Sequence, residues 1–160
     1  MDVTLKNIEM RRLLFIATLI LLGSVSLIAQ KYEYTIVTSV ESIVPMGIGR
    51  SRMVRSKQPL DVDKFTTSRT GGKDSKQDDV DRSDLKIDNF DETKLLNFYS
   101  GVGINFQNVA SNDALISSKI NLMVSEGWDL AFVVSGVESD AGKDDGKGIF
   151  ITRYIFRKAK

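Results

Sequence analysis

A chain of 160 residues is long enough for one domain with a single core, and 22 lysines and arginines against 21 aspartates and glutamates leave a formal charge of +1. That balance excludes the strong positive field with which proteins gather nucleic acid or anionic membrane. The lack of cysteine and histidine excludes disulfide staples, thiol and Ser-His-Asp catalysis, and the usual ligands of zinc, copper and haem.

Met10-Arg11-Arg12 precedes an unbroken apolar run from Leu13 to Ala29, the arrangement of an export signal. The run is 17 residues long, at the lower edge of the ~17 to 25 that span a bilayer, and its last third, Gly23-Ser24-Val25-Ser26, is small and weakly polar. These features favour a cleaved signal peptide over residues 1–29 rather than an N-terminal membrane anchor. Ala29 suits the cleavage position, although Leu27 is bulkier than a small-x-small pattern prefers, and Met10 is a candidate start. Cleavage removes Asp2, Glu9, Lys6, Arg11 and Arg12, leaving 19 cations against 19 acids in residues 30–160. The expected mature protein is a single neutral domain, periplasmic or secreted, with no membrane contact. With no cysteine it has no residue for a lipid anchor.

Tyr32 to Val44 is rich in Tyr, Val, Ile and Thr. Tyr32, Tyr34, Ile36, Thr38 and Val40 alternate with Glu33, Thr35, Val37, Ser39 and Glu41, the period of a half-buried strand. Pro45, Gly47 and Gly49 break it, and Arg50 to Arg55 returns as a short second strand. From Ser56 to Thr93 seven cations and ten acids are joined by only scattered apolar residues. Such a stretch buries too little to offset its ordering entropy, and reads as a long mobile insertion.

Leu95 to Tyr99 is an apolar run that periodicity leaves unassigned, while Ile104 to Val109, after Gly101 and Gly103, resembles a strand more than a helix. Ile116, Ile120, Met123 and Val124 then form one helical stripe, with Ser111 or Asn112 as its expected cap. Gly127 stops the helix in a left-handed conformation and Trp128 packs back near Met123. Leu130 to Val137 and Ile149 to Phe156 read as two long antiparallel strands joined by the polar loop Glu138 to Gly148. The expected class is α+β: a small antiparallel β-sheet packed by one main α-helix.

Lys31-Tyr32-Glu33-Tyr34, Ser125-Glu126-Gly127-Trp128-Asp129-Leu130 and Phe156-Arg157-Lys158 together resemble the bacterial domain of unknown function numbered four-one-seven-seven. That family carries Tyr-Glu-Tyr, Glu-Gly-Trp-Glu-Leu and a final Lys-Arg. The chain departs from it by some seventy extra residues between first strand and helix, and by Asp129 in place of Glu. The resemblance covers about residues 31–40 and 115–158 and implies one helix on a small antiparallel sheet, but no activity.

For chemistry, the carboxylates Asp78, Asp79, Asp81 and Asp84, or Asp140, Asp144 and Asp145, lie in stretches read as solvated, where a pKa is not shifted for general acid/base work. A calcium loop at Asp140 fails on pattern: Gly142 replaces the third-position acid, Asp145 the invariant glycine and Ile151 the twelfth-position Glu. No metal or cofactor is expected. Gly47, Gly49, Arg50 and Arg52 form a candidate turn for an anion or a partner, the competing reading being a turn with a cationic edge strand. Gly127 and Trp128 are expected to be structural, Trp128 as core rather than ligand platform. The expected function is a non-catalytic exported module binding a protein or small ligand, and not nucleic acid. The alternative is a carboxylate-based enzyme working without His or Cys.

Overall fold

A computed structural model describes Asn7, Ile8, residues 10–16, 31–42, 51–138 and 148–160; the side chain of Glu138 is outside that set. Two compact units are present. The smaller comprises residues up to Tyr32 with Ala159 and Lys160, where residues 10–16 are helical and the Lys160 N–H donates to the Lys31 carbonyl at 2.9 Å. Among the described residues no helix is long and apolar enough to cross a membrane.

The larger unit is α+β. Its sheet has five antiparallel strands in the order β3-β2-β1-β7-β6. The strands are β1 (Tyr32–Ser42), β2 (Arg52–Ser56), β3 (Phe90–Lys94), β6 (Asp129–Glu138) and β7 (Ile149–Ala159). A two-residue pair, β4 (Tyr99–Ser100) and β5 (Gly103–Ile104), precedes the main helix α1 (Phe106–Ser125). The core is Val37, Met53, Leu95, Met123, Trp128 and Phe156, with Ile116, Ile120 and Tyr154 half-buried against it.

Several expectations need correction. β2 is not an edge strand, because β3 covers it: Arg52 pairs with Lys94, Val54 with Glu92 and Ser56 with Phe90. The strand Phe90-Asp-Glu-Thr-Lys94 therefore comes out of the polar stretch 56–93, whose remainder carries two 3-10 turns, Val62–Phe65 and Gln77–Asp79. Residues 106–109 are helical, not strand. Asn105 caps α1 by accepting from the Gln107 and Asn108 N–H groups, so neither Ser111 nor Asn112 is the cap. Val124 points to solvent, leaving Ile116, Ile120 and Met123 as the inward stripe.

At its other end α1 closes with paired reverse bonds, Trp128 N–H to the Met123 carbonyl (3.0 Å) and Gly127 N–H to the Val124 carbonyl (2.9 Å). This is a Schellman stop, which requires the left-handed φ of +85° found at Gly127. A Cβ there would meet only the end of the Lys158 side chain, at 3.4 Å, an ordinary contact, so the need for glycine is the backbone conformation.

Candidate functional site

Two surfaces of the sheet differ in chemistry. Val37, Met53 and Phe156 face α1, and alternation puts Ser39 and Glu41 of β1 on that same side. The helix therefore lies over the polar half of the β1 alternation, while Tyr34 and Ile36 face away and are exposed. Register extends this open face across the sheet: Arg52 and Val54 of β2, Phe90, Glu92 and Lys94 of β3, Phe132 and Val134 of β6, Arg153 and Ile155 of β7. Tyr34, Ile36, Phe90, Phe132 and Val134 are all exposed there. Near the β2–β3 edge the face dips into an apolar hollow of about 380 Å³ lined by Val54, Ser56, Ile87 and Phe90.

Under the helix lies a buried polar cluster. The segment 95–98 crosses from β3 toward α1 without sheet partners, so other groups must satisfy its backbone. The Leu95 N–H donates to the Ser51 carbonyl (3.1 Å) and the Phe98 N–H to the Ser42 carbonyl (3.0 Å). Asn112 accepts from the Leu96 N–H and donates to the Leu96 carbonyl, both at 2.8 Å. The same amide donates to Glu41 Oε1 at 2.8 Å. Ser51 Oγ donates to Asn97 Oδ1 (2.6 Å) and accepts from the Ser42 N–H (3.0 Å).

Glu41 is 8% exposed. Burial pushes its carboxyl above the ordinary 4.5; the Asn112 hydrogen bond opposes that and the Asp113 charge adds to it. Burial likewise raises the Tyr154 phenol above 10.0; the nearby Ser39 hydroxyl opposes, and the Glu41 and Asp113 carboxylates add. A carboxylate whose pKa is raised on folding contributes stability that is full below its unfolded value and is lost as pH rises through the folded value. Glu41→Gln should therefore match wild type near pH 4 and be the more stable protein at pH 7–8, as read by melting temperature across that range. Asp91, lowered below 3.8 by its hydrogen bond to Lys57, acts in the opposite sense and only in more acidic solution, so the two effects separate. A constant offset between Glu41→Gln and wild type at every pH would contradict the assignment.

Of the candidate anion turn, Gly47, Gly49 and Arg50 lie outside the described residues. Arg52 is ion-paired with Glu92 across the β2–β3 ladder and donates from Nη1 to the Ser51 carbonyl at 2.9 Å. Its charge is thus already engaged by a carboxylate of the same face. Gly127 and Trp128 sit at the helix stop, Trp128 only 9% exposed. The Arg55 guanidinium and Lys158 ammonium stand 6.0 and 5.8 Å from the Trp128 ring centre. Lys158 also donates to the Glu126 carbonyl at 2.8 Å, placing a cation on the negative end of the helix.

Two acids of residues 57–89 serve turns, and Asp74 pairs with Arg69. Asp61 accepts from the Asp63 N–H, and Asp81 from the Ser83 N–H and hydroxyl. Asp79, Asp81 and Asp84 border a hollow of about 580 Å³ with Asp61 and Lys64. Among the described residues no group of three or more His, Cys, Asp or Glu could hold a metal ion. Asp140, Asp144 and Asp145 lie outside that set. Sequence reasoning missed Glu41 and Asn112, whose positions in a strand alternation and on a helix carry no local sign that they meet.

The chain matches no protein-family model, no curated protein and no solved structure. What fold and surfaces define is a class: an α+β domain in which, among the described residues, one main helix packs on one side of a five-stranded antiparallel sheet and the other side is exposed.

Proposed function

We propose that the chain is an exported, non-catalytic module that binds a protein or small-ligand partner through the open face of its sheet. The observation that carries this reading is the run of exposed apolar side chains across the open face, from Phe90 on β3 through Ile36 on β1 to Phe132 and Val134 on β6. Four strand spacings of ~4.8 Å by some 25 Å of strand give on the order of 500 Å² for the whole face, on which the apolar side chains are interspersed with Arg52, Glu92, Lys94 and Arg153. The raised carboxyl, by contrast, is enclosed under the helix and occupied by Asn112, which favours a structural role over acid/base work. Export rests on Arg11-Arg12 and the apolar run to Ala29, and the resemblance to domain four-one-seven-seven belongs to the same proposal.

Ile36 lies at the middle of the face, so Ile36→Asp tests the reading. A partner retained from the native envelope by wild type and lost by a variant with unchanged melting temperature supports it; undiminished capture by the folded variant sinks it. N-terminal sequencing of exported protein should begin at or near Gln30.

A further inference from the structure

The two edges of the sheet are built differently. β3 carries Asp91, Glu92 and Lys94, with Asp91 paired to Lys57 at 2.5 Å and Glu92 paired to Arg52. Charge of this kind discourages strand addition. β6, the opposite edge, runs ten residues with acids only at its ends, Asp129 and Glu138, and Asp129 has Arg157 as its cross-strand partner. Between them Phe132, Val133, Val134 and Val137 are each 53–61% exposed. Register puts Phe132 and Val134 on the open face, Val133 and Val137 on the helix side, so β6 is uncovered on both. Gly136 is a third observation. A Cβ added there meets nothing within 4 Å, and its φ lies outside the left-handed range. Nothing among the described residues therefore calls for glycine in this strand, whereas close approach by another chain would.

We infer that β6 pairs antiparallel with β6 of a second copy of this chain, about a two-fold axis through Val134. The sequence of the strand is self-complementary in that register. Phe132 of each copy lies over Gly136 of the other on the open face, an aromatic ring filling the space above a cross-strand glycine. Val134 meets Val134. With the irregularity between Leu130 and Phe132 taken up, Leu130 meets Val137 on the helix side. The two five-stranded sheets become one of ten, and both unprotected edges disappear. A strip of roughly 33 Å by 10 Å per copy is smaller than the ~800 Å² per partner of a standard interface, so the dimer forms and dissociates with concentration. This inference is independent of what the open face binds.

The chain has no cysteine, so single introduced cysteines report the geometry directly. Two Val134 positions facing each other across the axis are roughly 4.5–5.5 Å apart at Cα, within disulfide range, whereas two Val137 positions are several residues out of register. The full chain in one mild detergent, so that residues 13–29 contribute equally throughout, is oxidised as Val134→Cys, Val137→Cys and Ile36→Cys. Val134→Cys should form covalent dimer at least about tenfold faster than either other variant. A second measurement mixes Phe132→Cys with Gly136→Cys, and the mixture should cross-link faster than either variant alone. Equal rates at all three single sites, fastest cross-linking at Ile36→Cys, or no advantage for the mixture would overturn the inference; the Ile36 result would mean face-to-face packing instead.

Discussion

Trp128→Ala is expected to remove ~3–5 kcal/mol of unfolding free energy, a large share of what a domain of this size has. The described core has few large members, Phe156, Leu95, Met123 and Trp128 among them, so loss of the indole leaves a void that little can refill. Arg55 and Lys158 also lose the ring they flank. Gly127→Ala should cost less, about 1 kcal/mol, since it adds a Cβ at φ +85° but leaves the core filled. Chemical denaturation of both variants checks the order. If Trp128→Ala melts like wild type but loses a ligand, the indole belongs to a binding platform and not to the core.

The parts of the fold legible in the sequence are those specified locally. Gly127-Trp128 marks the helix stop because a left-handed residue and its reverse hydrogen bonds involve only neighbours. β6 and β7 are legible through their β-branched and aromatic content, and the observed pairs, such as Val133 with Tyr154, are antiparallel as expected. The helix start misled. Ile104 to Val109 reads as a strand, but Gly101 and Val102 turn a two-residue hairpin, Gly103 at φ +124° opens its short second strand, and Asn105 then starts the helix. β3 was hidden by its edge function, since the acids and lysine that protect an edge are the composition of a loop.

The open face was only half legible. The alternation of Tyr34 and Ile36 against Val37, Ser39 and Glu41 does not say which half the helix covers. The structure puts the helix over the half containing Glu41, where Asn112 of α1 supplies the hydrogen bond that a buried carboxyl needs. A pair 71 residues apart has no signature in either local pattern.

That pair yields the second large effect. Asn112 is fully buried and bonds three groups: the Leu96 N–H, the Leu96 carbonyl and Glu41 Oε1. Asn112→Ala abandons all three at once. Each buried polar group left unpaired costs on the order of 1–3 kcal/mol, part of which relaxation recovers, so a loss of ~2–4 kcal/mol is expected. The sign of its pH dependence follows from Glu41. Asn112 holds the Glu41 pKa down against burial, so without it the pKa rises further and the ionised form becomes costlier. The deficit of Asn112→Ala relative to wild type should thus grow from pH 4, below the ordinary glutamate value of 4.5, to pH 8, well above it. In Glu41→Gln, which has no charge to strand, the added cost of Asn112→Ala should lose that growth while the part owed to Leu96 persists. Denaturant melts of the four proteins at pH 4 and pH 8 decide the matter. A deficit equal at both pH values would show that Asn112 acts on the Leu96 backbone alone, and that the bond to Glu41 contributes nothing.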